Sequence, residues 1–391
     1  MKTSFESDYN NGAHPLVLQH LIDTNTMQSQ SYGFDTWSEQ ARHKIRTACQ
    51  CPDADIFFLV GGTQTNATVI DGMLQTYEGV IAVQTAHINV HESGAVEASG
   101  HKVITLPSHA GKMDAGELEA WLKAFNADPT LEHMVIPGMV YITFPTELGS
   151  VYTAKEIEEI LSVCQRYDLK LFIDGARLGY GLASSECDFT LSWLAHHCDA
   201  FYIGGTKVGA LFGEAVVIGN PVLKEDFRYL IKQHGAMLAK GRLLGVQFDA
   251  LFTDDLYMEI SRHAISMADI LREKLESLGY PFLVEPQSNQ LFPIVPDAVL
   301  EELGKESDLY KQLELFYVDS LNADTVMQWC IDGMLRKVDP YTGYYPQDDE
   351  ELRTMSTGKY AGIGSVVRFH KKEDRVVISE PYWDSPSQKA G

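Results

Sequence analysis

Leu171-Phe172-Ile173-Asp174-Gly175-Ala176-Arg177 and Phe201-Tyr202-Ile203-Gly204-Gly205-Thr206-Lys207, both within the stretch from Leu169 to Lys207, decide the fold. Each opens with an apolar run short enough, and β-branched or aromatic enough, to be a buried parallel strand. An open parallel sheet presents its ligand site at the carboxyl ends of its strands. An aspartate and a lysine on successive strand ends therefore converge on one crevice. Alone, Lys207 reads as a solvated lysine and Asp174 as a helix cap. Together they suit a cofactor with a basic ring nitrogen and an aldehyde, pyridoxal 5'-phosphate: Lys207 forms the Schiff base, and Asp174 holds the pyridine nitrogen protonated so that the ring accepts electrons.

Working outward, the same alternation continues on the amino-terminal side. Asp55-Ile56-Phe57-Phe58-Leu59-Val60 is a continuous apolar strand, followed by Gly61-Gly62-Thr63-Gln64-Thr65-Asn66 and a helix expected over 67–75. Strand, glycine turn and helix amino terminus offer free backbone N–H groups to a phosphate, although an ordinary turn needs glycine too. Strands are expected over 79–83, 102–106 and 134–144, and helices over 114–125 and 155–167. Pro15 marks one helix start and 37–49 reads as another helix. The succession is an α/β fold with a mostly parallel sheet covered on both faces. His87 and His91 are four residues apart and lack a convincing third metal partner. No metal is expected, and His87 is read as an aromatic lid over a cofactor ring.

On the carboxyl side, 215–218 is expected to return the chain as an antiparallel edge pair with the strand before Gly204. Helices are expected over 225–233, 238–252 and 255–278, then short strands at 282–284 and 290–294. A smaller domain is expected to start near 255.

The chain has 391 residues, long for one domain, and its 45% apolar content supports a large core. No run approaches the roughly 18 consecutive apolar residues of a membrane span. The net charge of -23 argues against nucleic acid and anionic membrane surfaces as partners. The start of the chain lacks the apolar core of a secretion signal, so a cytoplasmic address is expected. The six cysteines show no CxxC spacing and are read as reduced thiols, with Cys49 and Cys51 a weak alternative metal or redox pair.

Five pieces in order, Ser7-Asp8, Gly61 to Asn66, His87 with Glu92-Ser93-Gly94-Ala95, Asp174 to Arg177, and Thr206-Lys207, give residues 1 to about 304 a resemblance to the threonine aldolase branch of the β-eliminating lyase family. The resemblance implies pyridoxal phosphate fold type I, the aspartate-aminotransferase-like fold. It implies that Lys207 carries the cofactor covalently, Asp174 pairs with the pyridine nitrogen, His87 stacks over the ring and Gly62, Thr63 and Gln64 hold the phosphate. Ser7 and Arg177 would bind the substrate carboxylate, although Arg177 pairing with Asp174 is also open. The implied reaction cleaves a β-hydroxy-α-amino acid, threonine or allo-threonine, to glycine and an aldehyde, in a homodimer or homotetramer. The proton acceptor is either His87 or a water near the cofactor phosphate. Another pyridoxal phosphate lyase or transaminase, and a cofactor-binding protein without turnover, are the alternatives.

From about 305 the pattern changes. Ser307 to Asp319, Asp339-Pro340-Tyr341 and Gly358-Lys359-Tyr360-Ala361-Gly362-Ile363-Gly364 resemble the amino-terminal helices and PDZ opening of carboxyl-terminal processing peptidases. Strands over 366–370 and 375–380 are expected to form a partial PDZ-like hairpin in an α+β extension. No proteolysis is expected, because the serine-lysine domain of such peptidases has no counterpart here. Peptide capture by strand addition is the remaining alternative. The expected divisions are 1–254, a pyridoxal phosphate-binding large domain, 255–304, an incomplete small domain, and 305–391.

Overall fold

Seven strands of the computed structural model form one mixed sheet: β1 (Asp55–Leu59), β2 (Glu78–Val83), β3 (Val103–Leu106), β4 (Ile136–Thr143), β5 (Lys170–Asp174), β6 (Ala200–Gly204) and β7 (Glu214–Ile218). The structure describes residues 7–220, 226–297 and 299, together with the backbone of 365–370 and 375–381. The strand order is β1-β7-β6-β5-β4-β2-β3, parallel from β6 through β3. Every position of β5, β6 and β7 except Lys170 is buried, which is why these strands read as unbroken apolar runs rather than alternating ones.

The expected edge pair is corrected here. β7 does return antiparallel to β6, with Gly204 opposite Glu214, but it is an interior strand. Its other side pairs antiparallel with β1, Leu59 facing the same Glu214, so the edge belongs to a strand from far earlier in the chain. Short-range sequence shows the turn between β6 and β7; it carries no mark of a distant partner.

Around the sheet run α1 (Pro15–Thr24), α2 (Thr36–Cys49), α3 (Gly62–Met73), α4 (His87–Val90), α5 (Ala95–Ala98), α6 (Ala115–Asn126), α7 (Ala154–Arg166), α8 (Leu178–Ala183), α9 (Leu191–Ala195), α10 (Phe227–Gln233), α11 (Arg242–Leu251) and α12 (Leu256–Ser277). Local chemistry explains several boundaries. The Asp35 carboxylate accepts from Ser38 N–H at 2.9 Å to start α2, which ends where Gln50 takes a left-handed φ of 52°. Thr153 and Glu156 form a reciprocal capping box at α7. α3 begins at Gly62 rather than at residue 67: extended Gly61 is its cap, so Gly62 to Asn66 is the helix's own first turn and not a loop before it. The expected strands near 282 and 290–294 shrink to an isolated bridge between Phe282 and Pro293. Four prolines at 281, 286, 293 and 296 withhold the N–H groups that a ladder needs.

Charged side chains join helices over the apolar core. Asp249 of α11 accepts from Lys44 of α2 at 2.6 Å and faces His20 of α1 at 3.0 Å. The five cysteines Cys49, Cys51, Cys164, Cys187 and Cys198 are free thiols. Among the described residues no helix is long and apolar enough to cross a membrane.

The chain divides into two compact units, 1–329 and 330–391. In the second, β8 (Ser365–His370) and β9 (Arg375–Pro381) pair antiparallel, with Arg368 opposite Val377 and a register shift at Val366/Val367. The expected helical segment at 307–319, the Asp339-Pro340-Tyr341 turn, the 358–364 glycine segment and Cys330 lie outside the described residues.

Candidate active site

Two glycines bring the deciding strand ends together. A Cβ on Gly175 would lie 1.9 Å from the Tyr202 carbonyl oxygen, and one on Gly204 would lie 2.1 Å from that of Ala176. Only hydrogen fits at either place. The close approach lets Gly204 N–H donate to the Gly175 carbonyl at 2.9 Å, directly beyond Asp174. Tyr257 of α12 locks the crossing from outside: its hydroxyl donates to the Gly204 carbonyl at 3.0 Å and accepts from Gly179 N–H at 3.1 Å. Tyr180 donates to the Lys207 carbonyl, holding the segment after β6 in place. Asp174 and Lys207 thus leave adjacent strands at the same end of the sheet.

Four donors converge on the buried Asp174 carboxylate. Oδ2 accepts from Tyr141 OH at 2.6 Å and Asn66 Nδ2 at 2.9 Å; Oδ1 accepts from Tyr202 OH at 2.5 Å and Ala176 N–H at 2.9 Å. Burial, then the Asp174 charge, push both tyrosine hydroxyls well above their ordinary range, so each stays protonated and donates. Sequence reading missed Tyr141 and Tyr202. Inside apolar strands a tyrosine looks like core, and only the pairing of β4, β5 and β6 turns both hydroxyls toward one carboxylate.

His87 begins α4. Its Nδ1 lies 2.7 Å from Glu92 Oε1, and its backbone N–H donates to Glu147 Oε1 at 2.7 Å. Burial pulls the imidazole's proton affinity down. The Glu92 hydrogen bond and the charges of Asp174 and Glu92 outweigh it, so the pKa is raised. Glu92 Oε1 also accepts from Asn66 Nδ2 at 2.8 Å. Glu92 and Asn66 stood in the sequence pieces without a role; Glu147 carried no signal beyond following a strand. The two histidine rings lie 5.5 Å apart, and among the described residues no group of three His, Cys, Asp or Glu side chains is arranged for a metal ion.

At the start of α3, the N–H groups of Gly62, Thr63 and Gln64 precede the first intrahelical bond, which Thr65 N–H makes to the Gly61 carbonyl at 3.0 Å. A Cβ on Gly61 would meet nothing within 4 Å, so the space before this helix end is open. The Gln64 side chain turns elsewhere, accepting from Val60 N–H at 3.3 Å and donating to the His234 carbonyl at 3.1 Å. Its backbone amide, not its side chain, is the group at the open helix end.

Beside Lys207, Glu214 accepts from Thr206 Oγ1 at 2.8 Å and Gly205 N–H at 3.1 Å. Burial is the main cause that raises its carboxyl to about 8, against these hydrogen bonds and the nearby Lys207. Arg177 goes not to Asp174 but to Asp8: Nε donates to Oδ2 at 2.7 Å and a terminal nitrogen donates to Oδ1 at 3.3 Å. Ser7 Oγ donates to Asn10 Oδ1 at 2.7 Å. The Tyr9 ring centroid lies 5.7 Å from Lys207 Nζ. The segment from Ser7 to Asn10 therefore reaches both Arg177 and Lys207.

The family model for beta-eliminating lyases matches residues 14–298. The chain belongs to the beta-eliminating lyase family. This lyase is 32% identical over 304 residues to a low specificity L-threonine aldolase of Pseudomonas sp. (strain NCIMB 10558), covering 76% of this chain and 86% of that protein. It superposes on the solved threonine aldolase of Leishmania major with a TM-score of 0.78 at 40% identity, over 86% of this chain and 99% of that one. A Thermus thermophilus aspartate aminotransferase shares the architecture alone, with a TM-score of 0.60 at 15% identity over 82% of this chain and 88% of that one. The lyase thus has the aspartate-aminotransferase-like fold of pyridoxal phosphate enzymes. A further 93 residues, 23% of the chain, are 33% identical to a CtpA-like serine protease of Staphylococcus haemolyticus, of which they cover 18%. The carboxyl-terminal part of this lyase therefore has a separate relationship, as its sequence indicates.

Family membership carries pyridoxal 5'-phosphate as the cofactor of this lyase, and the residues present suit it. Helix-end amides face open space for a phosphate, a buried carboxylate held by four donors suits a protonated ring nitrogen, and a lysine follows the adjacent strand.

Proposed function

We propose that this lyase is a threonine aldolase-type carbon–carbon lyase, cleaving threonine or allo-threonine to glycine and acetaldehyde. The observation that supports the reading most is that Asp174 and Lys207 follow adjacent strands at the crossing of Gly175 and Gly204, with His87 close enough to feel both charges and the Asp8–Tyr9 segment reaching Arg177 and Lys207. The relatives at 32% and 40% identity, both named as threonine aldolases, favour this reaction over other chemistries of the fold.

Pyridoxal phosphate, when bound, supplies an acceptor for the electron pair of the breaking Cα–Cβ bond. Lys207 would hold it covalently. Asp174, immobilised by Tyr141, Tyr202, Asn66 and the Ala176 amide, keeps the ring nitrogen protonated. The amides of Gly62, Thr63 and Gln64 take the phosphate. Arg177 anchors the substrate carboxylate, its guanidinium oriented by Asp8, and Ser7 on the same segment would turn its hydroxyl from Asn10 to that carboxylate. His87 would lie beside the cofactor and accept the β-hydroxyl proton. The working form is a cytoplasmic homodimer or homotetramer.

The test is the visible absorbance of purified protein with added pyridoxal phosphate, followed by glycine release from threonine. The parent is expected to keep a visible band through dialysis and to turn over. Lys207→Ala is expected to lose both, and aldehyde release surviving in that variant would overturn the assignment.

A further inference from the structure

Glu92 stands at a junction that the aldolase reading leaves without a role. Its side chain is fully buried, and one oxygen, Oε1, receives two partners: His87 Nδ1 at 2.7 Å and Asn66 Nδ2 at 2.8 Å. The same Asn66 nitrogen reaches Asp174 Oδ2 at 2.9 Å. Its other oxygen, Oε2, is buried with no hydrogen-bond partner. An unbroken bonded path thus runs from the His87 ring through Glu92 and Asn66 to Asp174.

The chemistry of that path fixes the ring's state. An oxygen that already receives an amide N–H is an acceptor, so the imidazole nitrogen facing it at 2.7 Å carries the hydrogen. In the neutral ring the lone pair is then on Nε2, the nitrogen away from Glu92. We propose that Glu92 is the positioning residue of this site: it holds His87 as the Nδ1–H tautomer, leaves Nε2 as proton acceptor, and balances the charge that forms there. The proposal rests on the aldolase reading for its reaction. The substrate O–H bond breaks and an N–H bond forms at Nε2. The electron pair left on oxygen becomes the aldehyde carbonyl as Cα–Cβ opens, and protonation of the glycine Cα restores the proton count.

Other groups around His87 bear on its titration. Asp174 on β5 raises it, and Lys207 after β6 lowers it. Glu147 after β4 accepts from the His87 backbone, and His91 on the next turn lies ring to ring with it. Glu92 is the group hydrogen-bonded to the ring at Nδ1, at 2.7 Å.

The experiment compares the full-length parent, Glu92→Gln and Glu92→Ala, each loaded with pyridoxal phosphate, by two readouts. The first is the His87 side-chain titration by NMR of histidine-labelled protein, with its signals assigned by their absence in His87→Asn. In Glu92→Gln the visible band is expected to persist while the His87 midpoint falls by about one pH unit or more. The second readout is kinetics with threonine. kcat is expected to fall about 10–100-fold with KM within about threefold, and the acidic limb of the pH profile to move to lower pH. Glu92→Ala is expected to lose the single-tautomer signal as well. An unmoved His87 midpoint in both variants, or loss of the band in both, would overturn the proposal. If the parent fails to cleave threonine while the midpoint still moves, the aldolase reading fails and the Glu92–His87 pairing stands.

Discussion

Asp8 and Glu214 show how single residues act on this site from outside the expected set. The Asp8 side chain is fully buried against an Arg177 that is nearly so, and the pair is bidentate. Removing Asp8 takes away two charge-assisted hydrogen bonds that orient the guanidinium. Asp8→Ala is expected to lower the urea midpoint by the equivalent of about 2 kcal/mol and to raise KM for threonine with the visible band unchanged. Glu214 predicts a pH dependence. Its carboxyl is raised from 4.5 to about 8 in the fold, so across that interval the native state binds a proton that the unfolded chain has released. The stability that Glu214 contributes is therefore fully present below the ordinary carboxylate range and is lost as pH rises through about 8, with the raised His87 adding a slope of the same sign. Thermal midpoints taken at about pH 5 and about pH 8.5 should differ less in Glu214→Gln than in the parent.

At the scale of elements, the site depends on β5 and β6 approaching more closely than side chains allow. A methyl at Gly175 would overlap the Tyr202 carbonyl at 1.9 Å, and backbone cannot rotate aside as a flexible side chain does. Gly175→Ala is expected to cost at least about 3 kcal/mol by urea unfolding and to abolish the visible band, because the two strand ends must part. Its immediate neighbour Ala176 is partly buried and donates to Asp174 through its backbone, so a change there is expected to be milder. The contrast separates steric crossing from simple proximity to the cofactor. α12 supports the same crossing through Tyr257, linking the long helix after 255 to the catalytic end of the sheet.

The whole molecule joins two relationships in one chain, the lyase over 14–298 and the peptidase-like segment at the carboxyl end. The region after α12 packs on the large sheet's loops: Gln287 Oε1 accepts from Val151 N–H at 2.8 Å, and its carbonyl accepts from Ser184 Oγ at 2.5 Å. These contacts are complete before residue 304. A chain ending at Gly304 is expected to keep the visible band and a thermal midpoint close to the parent's. A large fall in either would assign the later residues a part in holding the lyase fold.

The sequence by itself determined the alternation of strands and helices, the Asp174 and Lys207 strand ends, and the glycine pair between β1 and α3, though not where α3 begins. Those signals are local: burial on both faces makes strands continuously apolar, and a close approach demands glycine. It also separated the carboxyl-terminal segment from the lyase, because the two carry different patterns. Only the tertiary structure decided that β7 is interior, that Arg177 is held by Asp8, 169 residues away in sequence, and that Tyr141, Tyr202, Asn66 and Glu92 form one network around Asp174 and His87. Each of those depends on which strand lies beside which and on where a side chain points once it is there. Residues far apart in the chain meet through packing, and a linear pattern holds no record of that meeting.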